Sequence, residues 1–363
     1  MGFNCGIVGL PNVGKSTLFN ALTQTAAAEA MNYPFCTIEP NIGRVSVPDH
    51  RLEVLGEIAN SAKIIATQIE IVDIAGLVKG ASQGEGLGNQ FLGHIRSVDA
   101  ILHVVRCFEN PDITHVSGDV DPIRDIGIVE TELLLADLES LKKRFQNIEK
   151  KNNPELVPEK TLLKRLVAWC EDGKMLNQLS LTDDEKKLIA SMHLLTNKPI
   201  LYVCNVNESE VVSGNQYTRK VEEFAKQCGS SIVVVSAAIE AEIAVIEDKN
   251  DRDEYIKSLG LSESGLARVI RGGYNLLNLI TFFTAGPIES RAWTVARNSK
   301  APAAAGVIHT DFERGFICAE TISYDDFVAC KGEAGAKTAG KMRLEGKEYV
   351  VQDGDVFHFR FNV

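Results

Sequence analysis

The sequence predicts an α/β protein: a doubly wound, mostly parallel sheet of the P-loop nucleotide-hydrolase type, with a helical insertion and a small α+β unit at the end. Three observations carry this. Gly9-Leu10-Pro11-Asn12-Val13-Gly14-Lys15-Ser16 has the two glycines, the lysine and the hydroxyl of a phosphate-binding loop at the required offsets. Apolar strand-like runs alternate with helical stretches along the first two thirds of the chain. The alternation breaks between Phe108 and Pro199, far more chain than the dozen or so residues of a single crossover helix.

Cys5–Val8 is a short apolar run that reads as a buried strand, and Thr17–Leu22 begins a helix whose N-terminus points at the loop. The glycines let successive backbone N–H groups curl around a phosphate. Lys15 then reaches the β and γ phosphates, and Ser16 is placed to ligate Mg²⁺. The strand-like runs are Gly6–Val8, Gly43–Val47, Ile69–Asp73, Ile101–Val105, Ile200–Cys204 and Ile232–Val235. In the gap after the fourth run, Leu134, Leu138, Leu141, Phe145 and Ile148 fall at 4-3-4-3 spacing, a heptad seam. Asn152-Asn153-Pro154 interrupts it, and Leu163, Leu166 and Cys170 resume at 3-4 spacing, which predicts a helical hairpin. Thr182 with Glu185 is a capping box opening another helix through Leu188, Ile189 and Met192. Beyond Asn278, Ile280–Thr284 and Trp293–Ala296 read as strands joined at Ala285-Gly286-Pro287. A helix is expected near Ala304–Asp311 and a strand at Phe316–Ala319. A hairpin is expected around Asp353-Gly354. The domains drawn from this are 1–128 with 198–277 for the nucleotide unit, 129–197 for the insertion and 278–363 for the terminal unit.

The composition excludes several classes. A net charge of −11 argues against a protein that coats nucleic acid, and no apolar run approaches membrane-spanning length. Asn278 to Val363 holds 10 basic and 11 acidic residues, so nearly all the acidic excess lies upstream and a local RNA-facing patch stays open. The eight cysteines form no C-x-x-C pair and read as reduced cytosolic thiols, and the start of the chain lacks the features of a secretory signal.

The downstream motifs refine the nucleotide reading. Asp73-Ile74-Ala75-Gly76 follows the third run. In switches of this class the aspartate holds Mg²⁺ through water, and the glycine N–H reads the γ-phosphate. Thr37 sits where a first switch loop carries its Mg²⁺-binding threonine. Leu77 stands where Ras-like enzymes place a water-orienting glutamine. The glycine-rich Gly80–Gly88 reads as a second switch. After the fifth strand, guanine readers carry N-K-x-D, whereas this chain has Asn205-Val206-Asn207-Glu208. A carboxylate moved by one methylene is not assumed to pair with guanine, while an asparagine amide matches adenine's edge. Ser236-Ala237-Ala238 would close the base pocket. The Thr196-Asn197-Lys198 triplet lies at the wrong end of its strand to serve the base.

Gly9–Thr17, Asn32–Gly43, Asp73–Gly93, the Asn205–Glu208 departure, the helical insertion and the terminal unit together resemble the YchF family of Obg-like ATPases over nearly the whole chain. The resemblance implies a β-grasp, TGS-like terminal domain. It also implies a cytoplasmic, Mg²⁺-dependent hydrolase preferring ATP to GTP, and association with the ribosome, its large subunit and ribosomal RNA. The catalytic candidates are Lys15, Asp73 and Gly76. Asn12, Val13, Gly14, Lys15, Ser16 and Thr17 are assigned to the phosphates. Asn205, Val206, Glu208 and Ser236 are assigned to the base, and Ser16 and Thr37 to the metal. Asn12 either ligates a K⁺ ion or bonds loop backbone. Two other readings stay open: a nucleotide-gated ribosome-binding module with incidental hydrolysis, and a true GTPase. The RNA-facing candidates are Lys142, Lys143, Arg144, Lys150 and Lys151 on the hairpin, and Arg291, Trp293, Val295 and Arg297 on one strand.

Overall fold

The computed structural model describes residues 3–30, 41–74, 87–115 and 118–362, without the side chains of 26–30 and 87–90. Twelve strands are formed among these residues: β1 (Asn4–Val8), β2 (Ile42–Ser46), β3 (Lys63–Ile65), β4 (Gln68–Asp73), β5 (Ala100–Arg106), β6 (Ile200–Asn205), β7 (Ser231–Val235), β8 (Leu279–Ala285), β9 (Glu289–Ala296), β10 (Phe316–Ser323), β11 (Arg343–Glu345) and β12 (Asp355–Phe361). They divide between two compact units, Met1–Val45 with Glu70–Gly273, and Ser46–Ile69 with Tyr274–Val363.

In the first unit, one sheet runs in the order β2-β4-β1-β5-β6-β7. Each of its strands overlaps one of the six apolar runs; β5 and β6, buried at every position, carry the near-continuous hydrophobic sequence of strands covered on both faces. β1 pairs in parallel with β4 and β5, and β5–β6 and β6–β7 are parallel as well. Ile7 lies opposite both Asp73 and Leu102, so the C-terminal ends of β1, β4 and β5 share one edge. The strand order reverses at β1, where open α/β sheets bind ligands.

The gap between β5 and β6 holds the expected helical hairpin. Asp121 caps a 28-residue helix, Pro122–Glu149, by accepting from Ile123 N–H and Arg124 N–H. The chain turns through Pro154–Leu156 and returns as Val157–Glu171. Leu141, Ile148, Leu162, Leu163, Leu166 and Cys170 form the core between them, with Leu134, Leu138 and Phe145 packed against it. The Thr182–Glu185 capping box is present, opening helix Asp183–Ala190. That helix stops before Met192.

Asp137 fixes the hairpin to the sheet. It has no exposed surface and accepts from Leu195 N–H at 3.0 Å, Thr196 N–H at 2.8 Å and Thr196 Oγ1 at 2.7 Å. Lys198 Nζ donates to the carbonyls of Arg96 and Val98, at the C-terminal end of helix Leu87–Ser97. The Thr196-Asn197-Lys198 triplet is therefore structural.

The second unit is a mixed sheet, β11-β10-β12-β8-β9-β3. β8–β9, β10–β11 and β10–β12 are antiparallel, and β12 runs parallel to β8, as a β-grasp fold requires. One face packs Phe282, Val295, Ala304, Phe316, Phe357 and Phe359. The other packs Phe283, Ala292, Ile322, Phe327 and Val356 against Leu52 and Leu55.

Three expectations are corrected here. Residues 46–69 were assigned to the nucleotide unit, but β3 pairs with β9, and helix His50–Ala59 buries Leu52 and Leu55 in the second unit's core. The Asp353-Gly354 turn does not close a hairpin. β12 starts at Asp355 and finds its antiparallel partner in β10, and residue 350 makes only an isolated bridge to Lys300. The turn is pinned to β8 instead: Asp353 Oδ1 accepts from Thr281 N–H at 2.9 Å, and Gly354 N–H donates to Thr281 O at 2.8 Å. The helix expected near Ala304–Asp311 is two, Ala301–Ile308 and Thr310–Arg314, with extended backbone at His309 between them.

On β9, Val295 is buried and Trp293 is half-buried against the core, its Nε1 donating to Thr284 Oγ1 at 3.0 Å. The Arg291 guanidinium lies 4.0 Å from the Trp293 ring centroid, and exposed Arg297 bonds Asn278 Oδ1. Trp293 is thus committed to packing, with the arginines at its border.

Candidate nucleotide site

The loop begins where β1 ends. Gly9 has φ +151°, and a Cβ there would fall 2.4 Å from Val104 O. Gly14 has φ +100°, and a Cβ there would fall 2.3 Å from Asn205 Nδ2. Neither position admits a side chain. Asn12 takes φ +62°, a left-handed conformation that asparagine tolerates, and its Nδ2 donates to Thr114 O at 3.2 Å. Val13 is buried. Helix Lys15–Ala30 then starts, and its first amides have no acceptor inside the helix. Ser16 and Thr17 are exposed on that first turn.

Lys15 is buried, and its Nζ donates to Leu10 O at 2.6 Å. Burial pulls its ammonium down to about 8, against the upward pull of the Asp73 carboxylate. Burial raises Asp73 in turn, and Lys15 lowers it. The two charges at the ends of the loop and β4 are therefore held together in a poorly solvated place. His103 on β5 is buried beside them. Burial, with Lys15 nearby, holds it down to about 3, so it is neutral at physiological pH.

Asn205 links the phosphate loop to the base side of the sheet. It is buried, its Nδ2 donates to Val13 O at 2.9 Å, and its Oδ1 accepts from Ala237 N–H at 2.9 Å. The side chain is a strut between the phosphate loop and the segment after β7, and it keeps one amide N–H and one oxygen lone pair beyond these two bonds. Val206 is buried, with its N–H on Val235 O, and Glu208 is exposed. Ser236 is 1% exposed, and its Oγ has no partner among the described residues.

Beside these residues is a cavity of about 300 Å³ lined by Phe108, Asn207, Glu210, Asn215 and Tyr217. Sequence reasoning missed it. Arg106 builds its wall: the buried guanidinium donates to the carbonyls of Phe108, Asn110 and Ile113 and lies 4.6 Å from the Phe108 ring centroid. Asn215 Nδ2 adds a bond to Cys107 O at 2.7 Å. A lone arginine ending a buried strand was the available signal, since such a charge must be spent on local backbone. At the far end of this loop His115 pairs with Asp125 at 2.8 Å, both buried. Thr37, Gly76, Leu77 and residues 80–86 lie outside the described residues. The Gly80–Gly88 stretch runs from them into helix Leu87–Ser97.

The donors fit Mg²⁺. Ser16 offers a hydroxyl and Asp73 a carboxylate, all-oxygen ligands for a hard cation that takes few protein groups and completes its shell from phosphates and water.

A loop of this kind at the reversal point of a parallel sheet places the chain in the P-loop nucleotide-binding class, with the strand arrangement of GTPases. Two family models agree: one described as a 50S ribosome-binding GTPase matches residues 4–151, and one for the YchF-GTPase C-terminal region, described as a protein of unknown function, matches residues 279–362. A Haemophilus ducreyi protein named ribosome-binding ATPase YchF is 57% identical over the whole of both chains, and a Bacillus subtilis protein of the same name is 55% identical, also over both whole chains. The solved structure of the Schizosaccharomyces pombe YchF GTPase superposes with a TM-score of 0.89 at 38% identity, covering 99% of this chain and 98% of that one. The chain belongs to the YchF family.

Proposed function

We propose that this protein is a cytoplasmic, Mg²⁺-dependent nucleotide hydrolase that prefers ATP to GTP and acts as a switch on the ribosome. The observation that carries the reading is the loop Asn12–Thr17 beside a base site whose guanine-reading lysine and aspartate are replaced by Val206 and Glu208. The phosphates lie on the loop amides and the first turn of the helix. Lys15 exchanges its bond to Leu10 O for phosphate oxygens and neutralises charge as the γ-phosphoryl group leaves. Ser16 and Thr37, with Asp73 through water, would hold the metal, which when bound would supply further charge neutralisation at the phosphates, and Gly76 N–H would read the γ-phosphate. The base enters the cavity lined by Phe108, Asn207 and Tyr217, next in sequence to Val206 and Glu208, and Ser236 follows the neighbouring strand.

Calorimetry with ATP and GTP, each with Mg²⁺, tests the preference. ATP binds more tightly; equal or tighter GTP binding overturns it.

Leucine at 77 cannot orient water, and a K⁺ ion held by Asn12 would supply positive charge there. Hydrolysis is then faster in KCl than in NaCl at matched ionic strength, and Asn12→Ala removes the difference. Equal rates in the two salts assign Asn12 to its Thr114 bond alone.

The ribosomal partner is supported by relatives that match the whole chain and carry the name ribosome-binding ATPase. Exposed Lys150 and Lys151 at the hairpin turn are the basic groups best placed for ribosomal RNA. Co-sedimentation with ribosomes across a salt series checks this, because phosphate contacts weaken as salt rises.

A further inference from the structure

The basic residues of the insertion do not act as one patch. Lys142 pairs with Glu171 at 2.6 Å, and Arg144 with Glu159 at 2.7 Å. Lys143 has no ionic partner among the described residues. It turns toward a cavity of about 370 Å³. Three segments of the first unit meet there: helix Leu87–Ser97, helix Pro122–Glu149 and the Ser191–Leu194 stretch.

The polar lining is Arg96, Ser140, Lys143, Arg144, Asn147 and Ser191, over a floor that includes Leu141 and Met192. Arg96 donates from Nη2 to the neutral Ser140 hydroxyl at 3.2 Å. The nearby Asp137 carboxylate is hydrogen-bonded to Leu195 and Thr196 and does not line the cavity. Three cations, Arg96, Lys143 and Arg144, therefore stand on a wall that carries no carboxylate of its own, with Glu159 paired to Arg144 and the charge of Asp137 near Arg96, in a chain whose net charge is −11. Every charged group on the wall is a donor, and two hydroxyls and an amide stand between them. Guanidinium groups favour oxyanions that accept several parallel bonds. The excess of cations on the wall favours an anion. The volume exceeds one phosphate and falls in the small-molecule range, and the apolar floor gives an attached organic body a surface.

This cavity lies at the opposite end of the sheet from the phosphate loop. Arg96 and the Ser191–Leu194 stretch precede the N-terminal ends of β5 and β6, whereas the loop follows the C-terminal end of β1.

We propose that this cavity is a second ligand site, separate from the P-loop, that binds the phosphate of a phosphate monoester and so ties the helical insertion to helix Leu87–Ser97. The monoester is carried either by a free mononucleotide-sized molecule or by the end of an RNA strand. Ligand binding adds a charged clamp across three segments, two of which already share the core of Leu141, Met192 and Leu194.

The test uses the full chain with its P-loop saturated by a non-hydrolysable ATP analogue and Mg²⁺. AMP is titrated by calorimetry, with adenosine as the control lacking phosphate. AMP binds, adenosine does not, and the affinity falls as salt rises. Arg96→Gln combined with Lys143→Gln weakens AMP by about tenfold or more, the usual cost of losing charge-assisted bonds. Ser191→Trp, at an exposed position that breaks no ion pair, fills the cavity and removes binding, which covers the case of a double variant that folds poorly. A short 5′-phosphorylated RNA followed by anisotropy separates the sources. Displacement of bound RNA by AMP in the parent, lost in Ser191→Trp, identifies an RNA end as the natural ligand. AMP binding with no RNA displacement identifies a free monoester. The proposal is overturned if AMP binds no better than adenosine, or if its binding survives both sets of substitutions.

Discussion

Lys15→Ala lowers the hydrolysis rate by about 10²–10³-fold, the usual loss when one pre-placed group that stabilises developing charge is removed. No other cation among the described residues is held on the loop, and the ammonium is already desolvated beside Asp73. Its interactions are therefore stronger than they would be in water. The same burial sets a pH dependence whose sign follows from proton counting. In the empty protein the Lys15 pKa falls from 10.5 to about 8. Bound phosphates favour the charged form and raise it again. Below pH 8 both states carry the proton and affinity is flat. Above it, binding must take up a proton, so ATP affinity falls by about tenfold for the first unit beyond that pKa. Calorimetry in buffers of different ionisation enthalpy measures that uptake. A pH-independent affinity through this range, or a Lys15→Ala protein that hydrolyses at the parent rate, contradicts the assignment.

Asn205→Ala is expected to have the second largest effect, on both stability and binding. The buried amide serves Val13 O and Ala237 N–H, and alanine leaves both without a partner. Two unsatisfied buried backbone groups cost about 2–5 kcal/mol together. The loop also loses the contact that fixes Val13, so nucleotide affinity falls as well, for both ATP and GTP. Thermal or urea unfolding of the empty protein measures the first effect and paired titrations the second. A variant with parental stability and a changed base preference alone would return Asn205 to the role of base reader.

The parts of the fold that were legible in the sequence are those set by local periodicity. The six strands of the first sheet, the heptad seam ending at Ile148 and the Thr182 capping box are all short-range patterns, and the structure contains each of them. Choice of partner was not legible. Lys63–Ile65 carries no mark of pairing with Glu289–Arg291, and Asp353-Gly354 has the composition of a hairpin turn while its bonds go to Thr281. The loop glycines could be read because only glycine fits where backbone and a facing atom approach so closely. The backbone bonds of Asn205 could not be read. An asparagine amide offers a donor and an acceptor to adenine and to the backbone alike, and only position decides between them. The Phe108 cavity escaped for a related reason: its walls come from segments far apart in sequence.

The pairing of β3 with β9 bears on how the chain is made. Residues 46–69 leave the site of synthesis early, yet the strand and core that complete them lie at 274–363. Through the synthesis of 70–273, Leu52 and Leu55 have no native cover, and non-local pairing of this kind forms slowly. The same arrangement defeats a simple truncation. A protein cut before Leu279 would keep a helix and an edge strand whose partners had been removed, and would expose apolar surface prone to aggregation.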